Sequence, residues 1–146
     1  VTTIPASPTD GQAVLHTPTG LTLIWNGTAW ASMTPGVTIH ANPGGITASR
    51  AVTLVDDALV VTDPSTHDRS DGFLSAVIDG DLVAVTRDGE VDGFDGLTAT
   101  EPVYVAPDGA GGVVHSPDDE LNVIPMGYAL SATRVMARMD TGTGYG

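Results

Sequence analysis

Residues 80–97, "GDLVAVTRDGEVDGFDGL", hold five acidic residues and four glycines in eighteen positions. The first half alternates along an apolar run. Val83 and Val85 share one face, and Leu82, Ala84 and Thr86 share the other, which is the pattern of a strand. The second half reads as acidic turns. Asp88-Gly89, Asp92-Gly93 and Asp95-Gly96 each pair a turn-forming carboxylate with a residue free to take positive φ, and Asp79-Gly80 does the same upstream. A strand bounded by such turns is a unit of an all-β domain.

The same carboxylates have a chemical reading. Asp88, Glu90, Asp92 and Asp95 are candidate calcium ligands, since Ca²⁺ takes six to eight oxygens from loop carboxylates. The spacing lacks the D-x-D-x-D-G pattern with a glutamate at position twelve, so turns are the expected role. Asp88 and Glu90 are also the right types for a glycosidase pair, but no aromatic-lined groove accompanies them.

Outward from this stretch, strand-like runs recur at the spacing of a sandwich or barrel: 51–55, 58–62, 73–78, 102–106, 112–115, 122–130 and 133–139. In the last, Val135, Ala137 and Met139 face one way and Arg134, Met136 and Arg138 the other. Residues 117–121, "PDDEL", read as a single helical turn starting at Pro117. Towards the N-terminus, "AVLH", "LTLIW" and "TAWAS" are short strands around two turns. Asn26-Gly27 between them is a strong hairpin signal that calls for positive φ at both positions, with Trp25 and Trp30 flanking it, placed to pack on each other or on a neighbour. The polar segment 1–12, with two prolines, reads as an extended arm.

The expected fold is therefore all-β: a small β-sandwich or barrel with an extended N-terminal arm and a short N-terminal β-hairpin unit. The divisions are 1–35 for arm and docking hairpin, 36–140 for the β domain and 141–146 for a flexible end. Both faces of several strands are partly apolar, which favours a homo-oligomer.

Composition narrows the function classes. Fifteen Asp and three Glu face five Arg and no Lys, a net charge of −13. Such a chain repels phosphates, so neither nucleic acid nor an anionic membrane is an expected partner. Cysteine is absent, which removes disulfides and thiolate ligands. His16, His40, His67 and His115 lack zinc-site spacing, no G-x-S-x-G elbow exists, and no glycine-rich run opens a helix. No catalytic residue and no cofactor is expected, nor is a secretory signal in the first residues.

Two segments resemble a known class. Gly80-Asp81-Leu82-Val83, Gly96-Leu97-Thr98, Pro102-Val103-Tyr104-Val105 and Met126-Gly127-Tyr128-Ala129-Leu130-Ser131-Ala132-Thr133 follow one another in a pattern similar to a β module of virion surface proteins. These belong to tailed phages and tailed archaeal viruses and include capsid decoration proteins and head or tail fibres. Trp25-Asn26-Gly27 leading to Trp30, after "PTDG", resembles short segments of phage fibres and baseplates. The resemblance implies a non-enzymatic homotrimer on the outer capsid surface, cementing the major capsid protein. Thr3, Ile4, Pro5 and Pro8 of the arm are the candidate capsid contacts. The alternatives are a tail-fibre or baseplate module with a structural or receptor-binding role, and a secreted calcium-dependent, glycan-active protein.

Overall fold

The computed structural model describes residues 1–42, 44–79 and 82–139; the expected flexible end at 141–146 and the Gly80-Asp81 pair lie outside them. The described chain is all-β, with thirteen strands in three sheets. The N-terminal sheet is the antiparallel meander β1 (Ala13–His16), β2 (Leu21–Trp25) and β3 (Trp30–Ser32). The central sheet has the order β4-β8-β7-β5-β6, from β4 (Val37–Ala41), β5 (Ala51–Val55), β6 (Ala58–Val61), β7 (Gly72–Asp79) and β8 (Leu82–Thr86). The third sheet has the order β11-β10-β12-β13-β9, from β9 (Asp88–Asp92), β10 (Pro102–Val105), β11 (Val113–Val114), β12 (Pro125–Ala129) and β13 (Arg134–Arg138).

The opening stretch is where the chain changes sheets. Thr86 ends β8 in the central sheet, and Asp88 begins β9 in the third. Gly36 braces this crossing: its carbonyl accepts the Arg87 N–H at 2.7 Å and the Asp88 N–H at 3.2 Å. Asp88-Gly89 is thus part of a strand rather than a turn. The reason is non-local: β9 pairs residue for residue with β13, Asp88 opposite Arg138 and Asp92 opposite Arg134.

The central sheet curls until its edge strands β4 and β6 bring Cα atoms within 8 Å of each other. Register places Val52, Leu74, Val83 and Val85 on one face, and with Leu59 they form a buried cluster that Ile46 caps. The opposite face is shared. Phe73 and Ala51 enter the core of the third sheet, with Val91, Val103, Val105, Ile124, Met126 and Val135. Ala84 and Ile78 meet Leu23 and Trp30 of the N-terminal sheet. Both faces of β8 are therefore covered, as its two-sided apolar pattern requires.

Buried hydroxyls tie the long 62–71 loop to this frame. Thr53 Oγ1 and Thr62 Oγ1 lie 2.8 Å apart, Thr62 donates to Ser70 Oγ at 3.1 Å, and Ser70 donates to the Val52 carbonyl at 3.0 Å. Each buried oxygen has a partner, and these hydrogen bonds offset the cost of taking the hydroxyls out of water. Residues 117–121 form a hydrogen-bonded turn, not helix: the Leu121 N–H donates to the Asp118 carbonyl and the Glu120 N–H to its side chain.

Two hairpin turns depart from the usual turn compositions. Asn26-Gly27 does not make a two-residue turn. Trp25 pairs with Trp30 across a four-residue loop, with φ of +97° at Gly27. Asn26 shapes it by accepting the Thr28 and Ala29 N–H groups at 2.9 Å. Asp56-Asp57 does make a two-residue turn, with φ of +50° and +65° between the paired Val55 and Ala58. Two L-residues bear the left-handed conformation there, and their carboxylates are adjacent. Asp57→Gly is expected to raise the unfolding free energy by about 1 kcal/mol. An increase in urea midpoint at unchanged slope would record it; no increase would mean that the aspartates carry no conformational cost.

Candidate functional site

Strand β9 decides the fate of the acidic candidates. Its pleat turns Val91 inward and leaves Asp88, Glu90 and Asp92 on the exposed face. Alternate residues on one face stand about 6.6 Å apart along a strand, too far for three to share one Ca²⁺ at about 2.4 Å. Asp95 lies beyond the strand end. Among the described residues, no three His, Cys, Asp or Glu side chains converge on a metal position. The carboxylates face arginines instead. Arg134 Nε donates to Asp92 Oδ1 at 2.8 Å, with Glu90 3.7 Å from its Nη1, and Arg138 Nε lies 3.9 Å from Asp88. The Asp92 hydrogen bond and charge, then Glu90, raise the Arg134 pKa further above its ordinary value. Exposed pairs like these add little stability, but their opposite charges are matched only in this register.

The hydrogen bonds of the histidines are local or bridge neighbouring loops. His115 Nε2 accepts the Thr98 N–H at 2.9 Å, while Nδ1 sits 2.8 Å from the Pro102 carbonyl. His67 Nδ1 accepts the Asp63 N–H. His16 is buried, with Nδ1 2.7 Å from Thr19 Oγ1 and Nε2 without a partner among the described residues. His40, half-buried on β4, has its pKa lowered mainly by desolvation, with Asp71 opposing and Arg87 assisting. The fold therefore favours the neutral ring, and this stabilisation holds above the unfolded value of about 6.5 and is lost as pH falls through the folded one. We expect the unfolding free energy to decline from pH 7 towards pH 5, and His40→Gln to flatten that decline. Equal slopes in both proteins would remove His40 as the cause.

The N-terminal unit carries the clearest surface feature. Its inner face, with Val14, Leu21, Leu23, Trp25 and Trp30, covers the central sheet. Trp25 and Trp30 meet edge to face with centroids 5.5 Å apart. Segment 1–12 lies along the same unit. The Thr17 N–H donates to the Val1 carbonyl, Gly11 N–H to the Trp25 carbonyl, and Ile4 packs into the inner cluster. Thr3 is exposed, and Pro5 and Pro8 are half-buried. The outer face, by register, consists of Ala13, Leu15, Thr22, Ile24, Ala31 and, just past β3, Met33. Leu15 is 52% and Met33 56% exposed, and the face has no charged residue in a chain of net charge −13.

Sequence reasoning missed a cavity of about 240 Å³ between the central and third sheets, lined by segments 48–50, 93–97 and 112–113. The segments are far apart in the chain, and no local pattern marks them. Compared with protein-family models, with curated proteins and with solved structures, the chain matches none of them.

Proposed function

We propose that the chain is a structural virion protein, a capsid decoration protein that binds the outside of the shell of major capsid protein and stabilises it. The observation that carries this reading is the uncharged outer face of the N-terminal sheet. In a protein this acidic, an apolar, charge-free sheet face is suited to lying against a partner. Leu15, Ile24 and Met33 would be covered by the shell, each contributing up to roughly 2 kcal/mol as its remaining exposed area is buried. The acidic β domain would then face solvent, where like charge discourages adhesion to nucleic acid and debris. Association into homotrimers is part of the proposal, as is the location on the outer capsid surface.

The test is reconstitution on shells stripped of the protein. The native chain is expected to bind along the whole head in many copies. Leu15→Asp with Met33→Asp, both at exposed positions, is expected to keep the fold and lose binding. A handful of copies confined to the tail would favour the tail-fibre or baseplate reading, and unaltered binding by the double variant would move the contact elsewhere.

A further inference from the structure

A strap before β5 and the end of β9 frame the cavity between the sheets. Ser49 takes a φ of +67°, rare for a residue with a side chain, and its hydroxyl donates to the Asp92 carbonyl. That bond ties the strap before β5 to the end of β9. Gly93 follows, where a Cβ would collide with Ser49 Oγ. Phe94, Leu97 and Val113 supply the apolar wall, and Arg50 and Asp95 the polar one.

Arg50 is the cation among the lining residues. Among the described residues, the ion pairs within 4 Å involve only Arg134 and Arg138, and the side chain of Arg50 makes no hydrogen bond. It is half-buried, in a chain with 18 carboxylate side chains. A guanidinium offers five N–H donors in a planar fork that matches a carboxylate, and partial burial strengthens that match. Asp95 shares the cavity without reaching ion-pair distance, so its charge disfavours a dianion and offers an acceptor to an N–H donor. The volume equals roughly eight liquid waters, room for a compact molecule of amino-acid size.

We propose that this cavity binds a carboxylate carried next to an N–H donor and an apolar group. The carboxylate pairs with Arg50, the N–H faces Asp95, and the apolar group packs on Phe94, Leu97 and Val113. A free N-acylated amino acid and the C-terminal end of a polypeptide share this chemistry. The inference rests on the cavity alone and is independent of any virion role.

The probes are N-acetyl-leucine, N-acetyl-leucinamide and a short peptide ending in a free leucine carboxylate, titrated into the full chain and followed by backbone amide shifts. N-acetyl-leucine is expected to give saturable shifts at Ser49, Arg50, Phe94 and Val113, and the uncharged amide none. Arg50→Gln should weaken binding at least about tenfold, the worth of a charged hydrogen bond. Gly112→Asp is an independent check. A Cβ there meets Arg50 Nη1 at an ordinary 3.7 Å, so the new carboxylate can occupy the guanidinium from within. That variant is expected to stay folded and bind nothing. Tighter binding of the peptide would make a polypeptide end the occupant, and equal binding a free small acid. Absence of saturable shifts, equal response to the amide, or full affinity in a folded Gly112→Asp or Arg50→Gln variant would overturn the proposal.

Discussion

Gly127→Ala is expected to cost at least about 4 kcal/mol, enough to unfold much of the population of an ordinary domain. Gly127 sits inside β12, opposite Ala137 of β13, with a φ of +127°. A Cβ there would overlap the Met136 carbonyl oxygen and lie 3.0 Å from the Arg138 nitrogen. Both are backbone atoms of the neighbouring strand, so no side-chain rotation relieves the clash. The strands must separate, and the loss extends to Met126, Ala129, Val135 and Ala137, all fully buried. Gly96→Ala is the matched control. Its φ of +68° is also left-handed, but a Cβ there meets nothing within 4 Å. Conformation alone should then cost about 1 kcal/mol. Urea unfolding of both variants separates crowding from backbone strain, and comparable losses would show that φ, not the approach of β13, makes Gly127 necessary.

How far the fold could be read from sequence depended on how local its causes are. β1, β2, β5 and β13 fall within a residue of the expected strands because each carries its own local run of apolar, strand-forming residues. β4 carries no such local signal. Its "VTIHA" follows a Pro-Gly turn and precedes "NPGG", and the strand exists because it zips onto β8 from Val37 to Ala41. β9 reads as turns in sequence because only Val91 within it is apolar, and its partner lies more than forty residues away. The signal was present in two places at once: D-x-E-x-D matches R-x-M-x-R only when the strands are aligned. The hairpin turns show the same limit. Asn26-Gly27 has the preferred composition for a tight turn, but the pairing of Trp25 with Trp30 sets the loop at four residues. The acidic residues could be named as candidates from sequence, while the Arg50 cavity could not. Its lining is assembled only when two sheets meet.

Phe73→Ala is expected to cost about 3–5 kcal/mol, the usual range for a buried aromatic emptied to a methyl group. Phe73 is 0% exposed and lies on β7, yet its ring belongs to the core of the third sheet. Only Ala51 accompanies it there from the central sheet, so Phe73 supplies most of the apolar volume that holds the two five-stranded sheets together. It meets Phe94 edge to face, with centroids 5.2 Å apart, and no other phenylalanine exists to take its place. Phe94 is also a wall of the Arg50 cavity. The substitution should therefore act twice, lowering the urea midpoint and loosening the cavity wall. Phe94→Ala alone, at a half-buried position, should cost less, and the double variant should fall short of the sum by about 0.5–1.5 kcal/mol, the worth of an aromatic pair. Strict additivity would mean that the rings are neighbours without coupling, and that the sheets are held by the aliphatic core around Val91, Met126 and Val135 instead.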